Sequence, residues 1–238
     1  MLTLEDQHLI VVGGSSGIGL ATARAALAAG ATVTAIARDP AGLAAAAAAT
    51  PGLHTAVADV LDPGALRDAF AAAGPVDHVY NAAGGVTLGS ILDEGIDAPL
   101  LALQTRLLGS VHVVRASHPT LRPGGSIVLT GGVSTDRPVA GAWGPNVSTA
   151  AAEQLARVLA VELAPIRVNA VAPGWTDTPL WDRVLGDQRD AVVGDAVAKH
   201  LTGQIVAADD VAAAVLLLLA NPGITGEVLH VDAGARLT

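Results

Sequence analysis

The 238-residue sequence predicts an α/β fold: a doubly wound, parallel sheet of seven strands in a single domain. Three observations predict it. Seven short apolar runs recur along the chain, and alanine-rich segments of helical length separate them. Several of the runs are apolar on both faces, as strands buried between two helix layers must be. No linker and no repeat interrupts residues 1–238.

The elements follow in order. HLIVVGG (8–14) leads into a helix over 17–29, and ATVTAIA (31–37) into one over 40–49. The alanine run from Ala44 to Ala49 is a small-residue helix face, alanine being the best helix former. HTAVADV (54–60) precedes a helix over 63–73, where Asp62-Pro63 supplies a cap and a first-turn proline. VDHVYNAA (76–83) leads to 99–118, and GSIVLTGG (125–132) to 146–164. After IRVNAVAP (166–173) the rhythm breaks. Residues 174–205 follow a strand's carboxyl end, where such sheets bind ligands, so they are expected to form a substrate lid. A last helix over 209–220, with Asp209 as its expected cap, and the strand EVLHVD (227–232) complete the pattern.

Composition excludes several functions. Hydrophobic residues make up 51% and charged residues 15%, which argues against extended disorder. The net charge of -9, without a basic cluster, argues against nucleic acid as a partner. The absence of cysteine removes disulfides, thiolate metal sites and a cysteine nucleophile, and no histidine spacing suggests a metal. The apolar run VAAAVLLLLA (211–220) is too short to span a membrane, and the acidic start MLTLEDQHLIVV does not read as a secretory signal. A cytoplasmic location is the expectation.

The first strand runs into VVGGSSGIG, which places Gly13-x-x-x-Gly17-x-Gly19 between a strand and a helix. The glycines allow a tight turn, close approach of backbone to a diphosphate and tight helix packing, and the helix start faces the anion with its amides. This is a dinucleotide-binding signature, so the sheet is Rossmann-like. The glycine loop is followed by Asp59-Val60, Asn81-Ala82-Ala83-Gly84, Ile166-Arg167-Val168-Asn169, and Pro173-Gly174 with Thr178 four residues on. In these motifs the chain resembles the short-chain dehydrogenase/reductase family over nearly its whole length.

The resemblance implies that Gly13, Ser15, Ser16, Gly17, Ile18 and Gly19 cradle the diphosphate. It also implies that Asp59 and Val60 meet the adenine, and that Asn81, Ala82, Ala83 and Gly84 line the ribose side. Pro173, Gly174 and Thr178 would hold the nicotinamide end. The second strand ends in Ala37-Arg38, where a carboxylate would select NAD. The missing anion and the added guanidinium therefore point to NADP (NADPH), with Asp39 one residue on as a counterweight. Homodimers or homotetramers are further implied.

What the family usually uses for proton transfer is missing. Alignment puts Arg106, Gly132, Pro145 and Thr149 where it carries asparagine, serine, tyrosine and lysine. The only tyrosine is Tyr80 and the only lysine is Lys199, so no register yields the usual Tyr-x-x-x-Lys pair. The remaining catalytic candidates are Asp136, Arg106 and Asn146. Ser134, Trp143, Trp175, Asp177 and Trp181 are the candidate substrate pocket, with Arg137 and Asp182 beside them. The expected function is an NADPH-dependent oxidoreductase with a non-standard site, acting on a small imine, iminium or carbonyl compound. The alternative is a dinucleotide-binding pseudoenzyme that serves as a sensor or structural partner.

Overall fold

β-branched runs bounded by Gly, Pro or Asp form strands here because their side chains pack well on a pleated surface covered on both sides. The computed structural model describes residues 3–238. In the first half it alternates β1 (His8–Val12), α1 (Gly17–Ala28), β2 (Thr32–Ala37), α2 (Pro40–Ala48), β3 (Leu53–Val57), α3 (Pro63–Ala73) and β4 (Val76–Asn81). The second half contains α4 (Asp97–Ser117), β5 (Leu121–Thr130), α5 (Trp143–Glu162) and β6 (Arg167–Pro173). It ends with α8 (Ala208–Ala220) and β9 (Val228–Val231).

Seven strands form one parallel sheet in the order β3-β2-β1-β4-β5-β6-β9. The order reverses between β1 and β4, and ligands of such sheets bind at the carboxyl ends flanking that reversal. One face buries Ile10, Ile36, Phe70, Val79, Ile127 and Val168. The other buries Leu9, Val11, Val33, Tyr80, Val128 and Leu218. Tyr80 and Phe70 are the largest side chains that are fully buried.

All seven sheet strands and all six expected helices are present, with shifted ends. α4 begins at Asp97 and α5 at Trp143, each earlier than the sequence suggests. Pro99 and Pro145 fall in the first turns, where a missing N–H breaks no helical bond. Asp62 caps α3 by accepting from the Gly64 and Ala65 amides. Asp209 does not cap α8. The helix starts one residue earlier, and Asp210 accepts from the Ala207 amide instead.

Beyond β6, residues 174–205 hold β7 (Thr176–Asp177), α6 (Pro179–Leu185), α7 (Arg189–Val197) and, just past them, β8 (Val206–Ala207). β7 and β8 pair with each other, apart from the main sheet. Among the described residues no helix is long and apolar enough to cross a membrane.

Candidate active site

The glycine turn after β1 is built by contacts that admit no side chain. A Cβ on Gly19 would stand 2.2 Å from the Gly13 carbonyl oxygen. Gly13 has a left-handed φ of 81°, and its Cβ would meet the Ala83 amide at 2.8 Å. The β1–α1 turn and the turn after β4 are therefore packed backbone to backbone. Between them and the start of α6 opens a groove of about 590 Å³, within the range of small-molecule and cofactor sites.

The helix ends around this groove differ in one respect that matters for anions. α2 and α3 each have an aspartate on their first amides, Asp39 and Asp62. α1 has neither a side-chain cap bond nor an acidic residue in its first turn. Its amides are left to face the groove, which suits a bound phosphate. The three glycines bring no side chain into the turn, and Arg38 adds positive charge just after β2. The residues present thus fit a dinucleotide.

Gly13, Ser15, Ser16, Gly17, Ile18, Gly19, Arg38, Asp59, Val60, Ala82, Ala83, Gly84 and Thr178 all line the groove. Asn81 acts from behind it: Oδ1 accepts from the Ala83 amide and Nδ2 donates to Ser110, which sets the turn. Pro173 and Gly174 lie at the end of β6 and do not line it. Asp39 does not turn toward Arg38. Its carboxylate caps α2 by accepting from the Ala41 and Gly42 amides.

Sequence reasoning missed Tyr80, Thr130 and Arg183, which also line the groove. The Tyr80 hydroxyl lies 3.2 Å from Thr130 Oγ1, and Thr130 donates to the Asn81 carbonyl at 2.7 Å. Burial pushes the Tyr80 phenol up to about 12. The signal for Arg183 was available: it stands one helical turn after Pro179, on the same face.

The seam between α4 and α5, where the family's proton-transfer residues would stand, is closed on itself. Arg106 is buried, and its Nη1 donates to the Thr130 carbonyl at 2.8 Å while Nε has no partner among the described residues. Burial lowers its pKa from the usual arginine value, and nearby Tyr80 and Glu153 oppose that shift. A Cβ on Gly84 would stand 2.7 Å from Arg106 Nη2. The Glu153 carboxylate accepts from the Gly132 amide at 3.1 Å and the Thr135 hydroxyl at 2.8 Å. It fills the space a Cβ on Gly131 would need. Thr149 shares a 3.0 Å hydrogen bond with Ser134 and places its methyl 2.9 Å from where a Cβ on Gly132 would be. Three glycines thus make room for three larger side chains, one opposite each.

The other candidates are dispersed and engaged. Asp136 pairs with His230 on β9 at 2.7 Å, and Arg137 donates to the Ala235 carbonyl. The Asn146 amide ties α5 to the Val139 carbonyl at 2.9 Å. Trp175 and Trp181 stack on each other with centroids 4.2 Å apart, and Trp181 Nε1 donates to the Thr176 carbonyl. Asp177 and Asp182 both pair with Arg189. None of these lines the groove, nor does Trp143, whose buried indole N–H has no partner among the described residues. Among the described residues no cluster could hold a metal ion.

Comparison with known proteins agrees with this geometry. A family profile described as Enoyl-(Acyl carrier protein) reductase matches residues 12–236. A 3-oxoacyl-[acyl-carrier-protein] reductase of Bos taurus is 34% identical, with 98% of this chain and 99% of that protein aligned. A short-chain dehydrogenase/reductase of Acremonium sp, ucsE, is 32% identical over 98% of this chain and 97% of its own length. Among solved structures, a small-chain dehydrogenase in complex with NADPH superposes with a TM-score of 0.86 at 30% identity, covering 98% of this chain and all of that one.

Proposed function

The chain belongs to the short-chain dehydrogenase/reductase family, a class of NAD(P)-dependent oxidoreductases, and we propose that it uses NADPH to reduce a small organic substrate that needs no protein proton donor, an iminium ion before a ketone. The observation that carries this reading is the contrast within one groove. Its dinucleotide half has free helix amides and Arg38, while its one phenol, Tyr80, is buried with its pKa near 12.

The bound cofactor supplies hydride. Among the residues that line the groove, the glycine turn and α1 amides would hold its diphosphate, Arg38 would meet the 2′-phosphate, Asp59 and Val60 would border the adenine, and Thr178 would border the carboxamide. NADPH in a relative at 30% identity supports the same cofactor. Hydride arriving at an iminium carbon moves the C=N electron pair onto nitrogen, and a neutral amine results. A ketone treated likewise becomes an alkoxide, which must be protonated. The Tyr80 hydroxyl is buried beside Thr130 Oγ1, and Ser134 and Thr149 share a hydrogen bond.

Asp136, a catalytic candidate from the sequence, and Asp177, a candidate of the substrate pocket, are engaged by His230 and Arg189. Arg189 gathers Asp177, Asp182 and Asp190, so the lid is locally net negative. This field favours a cation without a dedicated ion pair.

The test combines binding and turnover. Purified protein is titrated with NADPH and NADH, then offered N-alkylated cyclic iminium ions and matched ketones. The expected result is NADPH-selective binding and iminium reduction whose kcat is flat near neutral pH, because such ions have no proton to lose. Comparable ketone turnover would overturn the substrate class. Binding without turnover of either class would instead favour the non-catalytic reading, in which the closed seam reflects lost catalysis.

A further inference from the structure

We propose that Arg183 of α6 is a ligand of the cofactor's diphosphate, so that the lid segment itself clamps the dinucleotide; this rests on the reading that the groove holds one. Three features of the structure lead there.

The first is position. α6 starts at Pro179, directly after Thr178, and a Cβ on Gly17 would stand 3.4 Å from the Thr178 methyl. The lid helix therefore rises over the free N-terminus of α1. Pro179, Leu180 and Arg183 face the groove from it.

The second is charge. Among the described residues two cations line the groove, Arg38 just after β2 and Arg183. The two carboxylates that line it, Asp39 and Asp59, accept from backbone amides of their own turns. Arg183 forms no ion pair among the described residues, whereas Arg189, six residues on, has three. Thr149, standing where the family has lysine, brings no charge into the site.

The third is orientation. Trp181 stacks on Trp175, and Asp182 holds Arg189 at 3.3 Å, so α6 is tied down by residues that do not line the groove. That leaves Arg183 for the anion. A diphosphate seated on the α1 amides turns its outer oxygens toward the lid, where a planar guanidinium can bind two of them at once.

The experiment measures NADPH and NADH affinity by quenching of tryptophan fluorescence at low and high salt. It uses the wild-type chain, Arg183→Ala, Arg183→Lys and, for contrast, Arg38→Ala. Arg183 is exposed, so its replacement should leave the thermal midpoint unchanged. Arg183→Ala is expected to weaken NADPH and NADH by the same factor, roughly tenfold, and to flatten the salt dependence. Arg183→Lys should recover part of the loss, and Arg38→Ala should weaken NADPH alone. Unchanged affinity for both dinucleotides in Arg183→Ala would overturn the proposal and leave the dinucleotide reading standing. So would a loss confined to NADPH, which would move Arg183 to the 2′-phosphate. A wild-type chain that binds neither dinucleotide would overturn both.

Discussion

The dinucleotide half of the groove and the α4–α5 seam beside it use glycine to opposite ends. Around α1, glycines keep side chains out, so that backbone amides stay open to a ligand. In the seam, Gly84, Gly131 and Gly132 let side chains in: Arg106, Glu153 and Thr149 fill the space the glycines vacate and bond to the Thr130 carbonyl, to the Gly132 amide and Thr135 hydroxyl, and to Ser134 respectively. One region is left open at its backbone, and the other is filled by side chains. A serine returned at Gly132 should therefore meet the Thr149 methyl.

The largest effect should come from closing the open region. Gly19→Val would press side-chain carbon into the Gly13 carbonyl, costing about 3 kcal/mol of stability and eliminating measurable NADPH binding. Thermal unfolding and a fluorescence titration check both parts. Binding at wild-type strength would show that the turn is not the phosphate site.

A control far from both regions should change stability alone. His78 lies at the opposite end of the sheet, with Nδ1 2.8 Å from Ser126 Oγ and Nε2 2.9 Å from Gln7 Oε1. Burial lowers its pKa from 6.5 to about 4, the neighbouring Asp77 opposing this and Arg167 adding to it. The folded state thus prefers the neutral ring. The contribution to stability is fully present above pH 6.5 and is lost as pH falls toward 4, about 3 kcal/mol in all. His78→Gln should flatten that part of the pH–stability curve and leave NADPH affinity at neutral pH unchanged. A curve as steep as the wild type's would assign the loss to other groups.

The seam can be probed by returning the family's serine. In Gly132→Ser the new Cβ meets the Thr149 methyl at 2.9 Å, and the expected cost is about 2 kcal/mol. Thr149→Ser removes that methyl and keeps the hydroxyl on Ser134, so the double variant should regain about 1 kcal/mol of this. Additive losses in chemical denaturation would mean that the two positions are not packed against each other. Arg38→Ala should have the smallest effect, a roughly tenfold loss of NADPH affinity with NADH unaffected. An equal loss for both would take Arg38 away from the 2′-phosphate.

Much of this was legible in the chain itself. Strand runs separated by alanine-rich helices specify a parallel sheet, because local periodicity and the need to bury both sheet faces leave few alternatives. The glycine turn, Asp59, the Asn81 turn and Thr178 could be placed by motif, because each depends on neighbouring backbone. The absence of a Tyr-x-x-x-Lys pair needed only a count of one tyrosine and one lysine.

Other features depend on partners distant in sequence. Nothing local to Asp136 reveals His230, ninety-four residues on, and nothing local to Gly132 reveals the methyl of Thr149. The tryptophans looked like a substrate wall because they cluster in sequence, yet Trp175 and Trp181 stack on each other. The sequence by itself determined the fold, the glycine turn and the absence of a Tyr-x-x-x-Lys pair, since periodicity, turn chemistry and composition are local properties. Only the tertiary structure decided which carboxylates are already paired, that the seam is filled, and that the α1 amides and Arg183 border one groove. Pairing, filling and facing arise from chain segments that meet only when the sheet has formed.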